Sequence, residues 1–188
     1  MGLGYIGLPT AIIAAGSGVD VIGVDVNPKV VEMTNRGVIH IVEPGLQELC
    51  SEVVKTGKLK ASGTPEESDV YLVVAPTPFK GNHEPDISYV EAATRMVAPL
   101  LKEGDLFVIE STSPVGTTEK MGHLIYALRP ELTGKVFIAY CPERVLPGNV
   151  IYELVHNDRV IGGLDKESTE KAVQFYSLFV KGTLHRTN

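Results

Sequence analysis

Gly2-Leu3-Gly4-Tyr5-Ile6-Gly7 and, further on, Val21-Ile22-Gly23-Val24-Asp25-Val26 are the stretches whose reading decides the fold. The first fits G-x-G-x-x-G. Its first glycine permits a tight turn, its second lets a pyrophosphate approach the backbone, and its third lets the next helix pack close to a sheet. A helix-like segment, Leu8–Ser17, follows, so the turn feeds a helix N-terminus whose N–H groups and dipole suit phosphates. Asp25 ends the next β-rich run, about 20 residues past the second glycine, where a carboxylate accepts hydrogen bonds from a ribose diol. The same carboxylate repels a 2′-phosphate, so the spacing predicts NAD rather than NADP. One part of the usual setting is missing. Only Met1 precedes Gly2, whereas the fingerprint ordinarily follows a strand that is central in the order 3-2-1-4-5-6.

Outward from this stretch, short apolar runs alternate with longer helix-like segments. Strands are expected at Val21–Val26, Val70–Ala75, Leu106–Ser111, Val136–Tyr140 and, more weakly, Arg159–Ile161. The first three are nearly continuously apolar, as in parallel strands covered on both faces. Helices are expected at Leu8–Ser17, Pro28–Arg36, Gly45–Thr56, Ser88–Lys102, Thr117–Leu128 and Lys166–Val180. Ser88 with Glu91 three residues on reads as a capping box. The alternation predicts an α/β fold: a doubly wound, Rossmann-like parallel sheet with helices on both faces, lacking its first strand. Pro76–Pro85 is the most loop-like stretch, with three prolines and a Gly-Asn turn.

The chain has 188 residues, 44% hydrophobic and 21% charged, which suits one globular domain over 1–188 with a real core. Seventeen basic against 23 acidic residues leave a formal charge of −6. No basic stripe stands out, which argues against nucleic acid as a partner. No apolar stretch is long enough for a bilayer and no leader pattern opens the chain, so a cytoplasmic protein without membrane partners is expected. Cys50 and Cys141 make no disulfide framework. The five histidines form no ligand spacing, so no metal is expected.

Five ordered segments go beyond a generic dinucleotide fold: GLGYIGLP (2–9), VIGVDVN (21–27), VAPTPF (74–79), ESTSPVGTT (110–118) and CPERVLPG (141–148). Together they resemble the nucleotide-sugar 6-dehydrogenases, the UDP-glucose/GDP-mannose dehydrogenase family, over essentially the whole chain. IHIVEPGLQEL (39–49), PTPFKGNHEPDISYVE (76–91) and the ERVLPG form of the fifth motif are most similar to the UDP-N-acetyl-D-mannosamine branch.

The resemblance implies that Gly2, Gly4, Tyr5, Ile6, Gly7 and Asp25 hold NAD with Thr77, while Thr112 and Thr118 lie near the nicotinamide. It implies that Glu143 acts as acid or base, or holds a water, near the reacting carbon, with Arg144 and Val145 touching substrate. Pro147 stands where UDP-glucose enzymes usually carry a second glutamate, which argues against UDP-glucose. The implied reaction turns a C6 alcohol of a UDP-sugar into a carboxylate in two NAD-dependent steps through a cysteine-bound intermediate. It belongs to the making of acidic sugars for surface polysaccharide. The family's nucleophilic cysteine motif, central helix and sugar-nucleotide domain do not occur in these residues, so this chain is expected to be the NAD-binding portion, inactive alone. A homodimer is implied for full-length members. Alternatives are a non-catalytic nucleotide-binding module, a remnant of such an enzyme, or a dehydrogenase for UDP-N-acetylglucosamine or UDP-glucose.

Plainer readings compete at single residues. Glu143 pairs with Arg144 in a loop, Thr117 or Thr118 N-caps a helix, and Cys50 is a small packing residue.

Overall fold

The computed structural model describes residues 1–187, the side chain of Asn82 excepted. Asn188, the last residue of the expected domain, lies outside them. Contacts divide the chain into two compact units. The first comprises Met1–Pro65, Arg144–Asp158 and Tyr176–Thr183, and the second Glu66–Glu143, Arg159–Phe175 and the residues from Leu184 onward.

In the first unit, α1 (Gly7–Gly16) packs on β1 (Val21–Val24), which pairs in parallel with β2 (Leu59–Ser62). Helix α2 (Pro28–Asn35) starts where a sequence reader would start it. Pro28 sits at its first position, and the Asn27 side chain accepts the Lys29 N–H. Helix α3 (Leu46–Lys55) follows Gly45, whose φ of 75° supplies the left-handed entry. Leu3, Leu8, Ile12, Ala15, Val30, Leu46, Cys50, Val53 and Leu59 form the core of this unit. Cys50 is fully buried there, and burial pushes its thiol pKa up. It is a packing residue.

The second unit carries a five-stranded sheet in the order β3 (Val70–Val73), β4 (Leu106–Ile109), β5 (Phe137–Tyr140), β6 (Arg159–Gly163), β7 (Leu184–Thr187). Every residue of β4 is buried, as its continuously apolar run demands of a strand flanked on both edges and covered on both faces. Helices α4 (Ser88–Val97) and α5 (Thr117–Leu128) pack on each other and against β3 and β5 respectively. Helix α6 (Val150–His156) belongs to the first unit, and α7 (Lys166–Tyr176) follows β6.

The α/β class and Rossmann-like parallel pairing hold, with helices where the periodicity placed them. As expected, no strand among the described residues lies ahead of Gly2, and β1 and β2 form a two-stranded sheet. Three differences have physical causes. The sheet is not all parallel, because β6 runs antiparallel to β5 while β7 runs parallel to β6. Strands β2 and β7 and helix α6 went unread, since LKAS and LHRT are short and polar and α6 spans under two turns. Finally, Ser88 and Glu91 form no capping box. Ser88 is already helical, and its N–H donates to the Asp86 carboxylate, while Glu91 pairs with Lys120. Hydrogen bonds from Ser88 and then Lys80 hold the Asp86 pKa down at about 2.

The end of β6 tolerates only glycine. A Cβ on Gly163 would lie 2.5 Å from the Thr169 nitrogen and 2.8 Å from the Asp165 carbonyl oxygen, both backbone atoms. Gly163→Ala is therefore expected to cost roughly 1–3 kcal/mol by overpacking, read as a lowered urea midpoint. An unchanged midpoint would contradict the close approach.

Candidate functional site

The fingerprint turn is built on the end of β1. The Gly2 N–H donates to the Val24 carbonyl at 2.7 Å, and Gly2 itself takes φ 92°. One Asp25 carboxylate oxygen accepts the Leu3 N–H at 2.9 Å and the other accepts the Asn27 N–H at 2.8 Å. Asp25 is thus pinned from both sides, with each oxygen keeping a lone pair for a further donor. The next backbone N–H groups, those of Gly4, Tyr5, Ile6 and Gly7, donate to no acceptor among the described residues. Gly4 is exposed, and a Cβ built on it would meet nothing within 4 Å. These amides sit where α1 begins, and its N-cap residue, Ile6, offers no side-chain cap. Free donors, open space and a helix dipole together fit a diphosphate, and the pinned carboxylate fits a ribose diol.

Tyr5 has a partner that sequence reasoning missed. Its hydroxyl donates at 2.8 Å to Glu43, which is 5% exposed. The same carboxylate accepts the Gly148 N–H at 3.0 Å and the Val150 N–H at 2.7 Å, and so caps α6 from outside. Burial pushes the Glu43 pKa up, but hydrogen bonds from Tyr5, Val150 and Gly148 outweigh it and leave the net value below the ordinary carboxylate range. The folded value is therefore the lower one. The stability this contact contributes is present above the unfolded pKa and is lost as pH falls through the folded one. The bond to Glu43 raises the Tyr5 phenol in turn. Arg144 is exposed, with its carbonyl accepting a bond from Asn157, and Val145 is half-buried.

In the second unit the predicted residues follow the carboxyl ends of the parallel strands, where open α/β sheets bind ligands. Thr77, after β3, donates its hydroxyl to the Thr112 carbonyl, after β4, at 2.7 Å. Thr118 is half-buried in the first turn of α5. Gly116, with φ 87°, is the N-cap of that helix, and Thr117 bonds the Pro114 carbonyl instead of capping it.

Glu143, after β5, pairs with Arg159, whose guanidinium also lies 3.8 Å from Glu110. All three side chains are almost wholly buried, at 6%, 3% and 0% exposure for Glu143, Arg159 and Glu110. The register explains the pairing. Ala139 lies opposite Gly163 and Tyr140 opposite Gly162, and continuing that antiparallel register brings Arg159 opposite Glu143. The signal was a charged residue opening the apolar run RVIGG, a position that needs a buried counter-charge.

Unpaired turn amides at a helix N-terminus, beside a pinned strand-end carboxylate, define a Rossmann-type dinucleotide-binding fold. Residues 1–180 match the UDP-glucose/GDP-mannose dehydrogenase family, NAD binding domain, and the chain belongs to that family. It is 52% identical over 196 aligned residues to UDP-N-acetyl-D-mannosamine dehydrogenase of Escherichia coli K12, covering 100% of this chain and 47% of that protein. It is 50% identical to NDP-N-acetyl-D-galactosaminuronic acid dehydrogenase of Ralstonia nicotianae, covering 97% and 45%. Among solved structures, UDP-D-ManNAc dehydrogenase of Pyrococcus horikoshii superposes with a TM-score of 0.93 at 44% identity, over 100% of this chain and 46% of that one. The chain spans about half the length of the curated relatives it matches. No helix among the described residues is long and apolar enough to cross a membrane.

Arg159 faces two buried carboxylates, so its loss should be costly. Arg159→Met is expected to destabilise the chain by about 3–5 kcal/mol near neutral pH. Urea unfolding checks the size, and an unchanged midpoint would contradict the buried pairing.

Proposed function

We propose that residues 1–188 act as one NAD-binding domain of a dehydrogenase that oxidises the C6 alcohol of a UDP-N-acetylhexosamine, UDP-N-acetylmannosamine first, to a carboxylate. The carrying observation is the row of unpartnered N–H groups from Gly4 to Gly7 beside the doubly anchored Asp25. Gly2, Gly4 and Gly7 shape the turn, the amides of Gly4, Tyr5, Ile6 and Gly7 receive the diphosphate, and Asp25 takes the adenosine ribose. Thr77, Thr112 and Thr118 serve the nicotinamide end. Held there, NAD would supply the hydride acceptor for oxidation of the substrate carbon.

Glu143 is the residue we assign to proton handling or water placement, held by Arg159, with Arg144 and Val145 facing the sugar nucleotide. Support for the substrate class is the similar identity, 52% and 50%, to relatives named for two different N-acetylated sugars. The reading takes the full-length protein to be a cytoplasmic homodimer making acidic sugars for polysaccharide. Cys50 and Cys141 are both fully buried, which suits neither as the nucleophile that the second oxidation requires. The chain alone is therefore expected to bind NAD without turning over.

Calorimetric titration of the 188-residue chain tests the reading. NAD should bind saturably and NADP more weakly, and Asp25→Ala should cost about 1.5–3 kcal/mol of NAD affinity, the range for hydrogen bonds to a charged group. A folded chain that binds neither dinucleotide would overturn the proposal, as would turnover of any UDP-sugar by this chain alone.

A further inference from the structure

Glu43 is a buried carboxylate with three donors on it, and none of the residues assigned so far explains why it is there. Its Oε2 takes the Tyr5 hydroxyl and the Gly148 N–H, and its Oε1 takes the Val150 N–H. Tyr5 belongs to the fingerprint. Gly148 and Val150 end the Arg144–Asn149 loop and begin α6, more than a hundred residues later in the chain. All four residues lie in the same compact unit.

The loop has few other anchors of its own. Asn149, the N-cap of α6, makes no side-chain capping bond, and Gly148 takes φ 91°. Leu146 N–H and the Asn149 side chain are tied to Glu153, within α6 itself. Glu153 therefore shapes the loop internally, whereas Glu43 fastens it to the cofactor turn. A carboxylate in that place is suited to the task, since it accepts several N–H and O–H donors at once and makes bonds stronger than a neutral acceptor would.

From this geometry we propose that Glu43 is a positioning residue that couples the dinucleotide turn to the Arg144–Asn149 loop, so that NAD bound at Tyr5 orders the loop that meets the sugar nucleotide. The proposal rests on the functional reading above, in which NAD occupies the fingerprint and Arg144 and Val145 face substrate. The path is a single side chain. Immobilising the Tyr5 ring fixes the hydroxyl on Oε2, which shares that oxygen with Gly148, and the other oxygen holds Val150. The lowered pKa of Glu43 agrees with a carboxylate kept as the acceptor throughout the neutral range.

Hydrogen exchange of the chain with and without NAD tests this, using the parent, Tyr5→Phe and Glu43→Gln, each at saturating NAD. Tyr5→Phe removes only the phenol oxygen and leaves both backbone bonds to Glu43 in place, so it folds independently of the outcome for Glu43→Gln. In the parent, NAD should slow exchange at the Gly148 and Val150 amides by about threefold or more, as expected for a locally stabilised loop. In Tyr5→Phe the slowing should vanish while exchange without NAD stays near the parent rate. In Glu43→Gln the two amides should exchange faster from the outset and ignore NAD. A merely structural Glu43 would alter the starting rates and leave the NAD response of Tyr5→Phe intact, and that result overturns the inference. A parent that binds NAD with no slowing at these amides also overturns it. A parent that binds no NAD overturns the functional reading, and this inference falls with it.

Discussion

Two backbone N–H groups converge on one carboxylate at the end of β1, and the cofactor turn takes its shape from them. Leu3 reaches Asp25 from the fingerprint and Asn27 reaches it from the approach to α2. The chain there has to leave a strand, make a turn around glycine and enter a helix with its first amides unsatisfied, and buried or half-buried amides without partners are costly. Asp25 satisfies the ones flanking the turn, and those of Gly4 to Gly7 stay available. Its own position is then over-determined. A carboxylate free to swing could move away from a 2′-phosphate and accommodate it. In the proposed role for Asp25, a carboxylate tied through both oxygens could not, and discrimination between the two dinucleotides would come from the anchoring as much as from the charge.

A second constraint acts in the five-stranded sheet. Had β6 run parallel to β5, Arg159 at its start would lie at the amino end of β5, away from Glu143. The antiparallel register instead brings a strand opened by a cation to the carboxyl ends of β4 and β5, where Glu110 and Glu143 follow their strands. Burying three charges is a poor route to stability, because desolvation offsets most of the attraction. What the arrangement secures is direction. Glu143 is held against a rigid strand rather than left on a loop, and a group assigned to proton handling gains from a fixed position.

The α/β class, the fingerprint, Asp25 and the buried strands were all legible in the sequence, because each is a local pattern: a glycine spacing, an acidic strand end, a continuous apolar run. The residues that hold the site together were not. Glu43 lies in IHIVEPGLQEL, a block that marked the family resemblance but assigned its glutamate nothing, since its donors at Gly148 and Val150 are remote in sequence. Arg159 and Glu143 are partners only through the antiparallel register, whereas proximity in sequence favoured Arg144. Ser88 with Glu91 matched a capping box, yet Asp86, two residues earlier, reached the first helical N–H and displaced it. Strands β2 and β7 form because neighbours offer edges, which no run of four mixed residues reveals.

Two helix starts in this chain are anchored by carboxylates rather than by hydroxyls, and that has a consequence for acid. Thr77 holds the Thr112 carbonyl by a neutral bond that no titration touches. Glu43 and Asp86 instead fasten the starts of α6 and α4 by charge-assisted bonds, and both have folded pKa values below their ordinary ones, Asp86 at about 2. The contribution of Asp86 is thus complete above the ordinary range of an unfolded aspartate and is lost only as pH falls towards about 2. Glu43 follows the same direction, its pKa lowered by the bonds from Tyr5, Val150 and Gly148. Glu43 and Asp86 therefore keep these bonds under mild acidification, and acid releases them later than it would an unperturbed carboxylate.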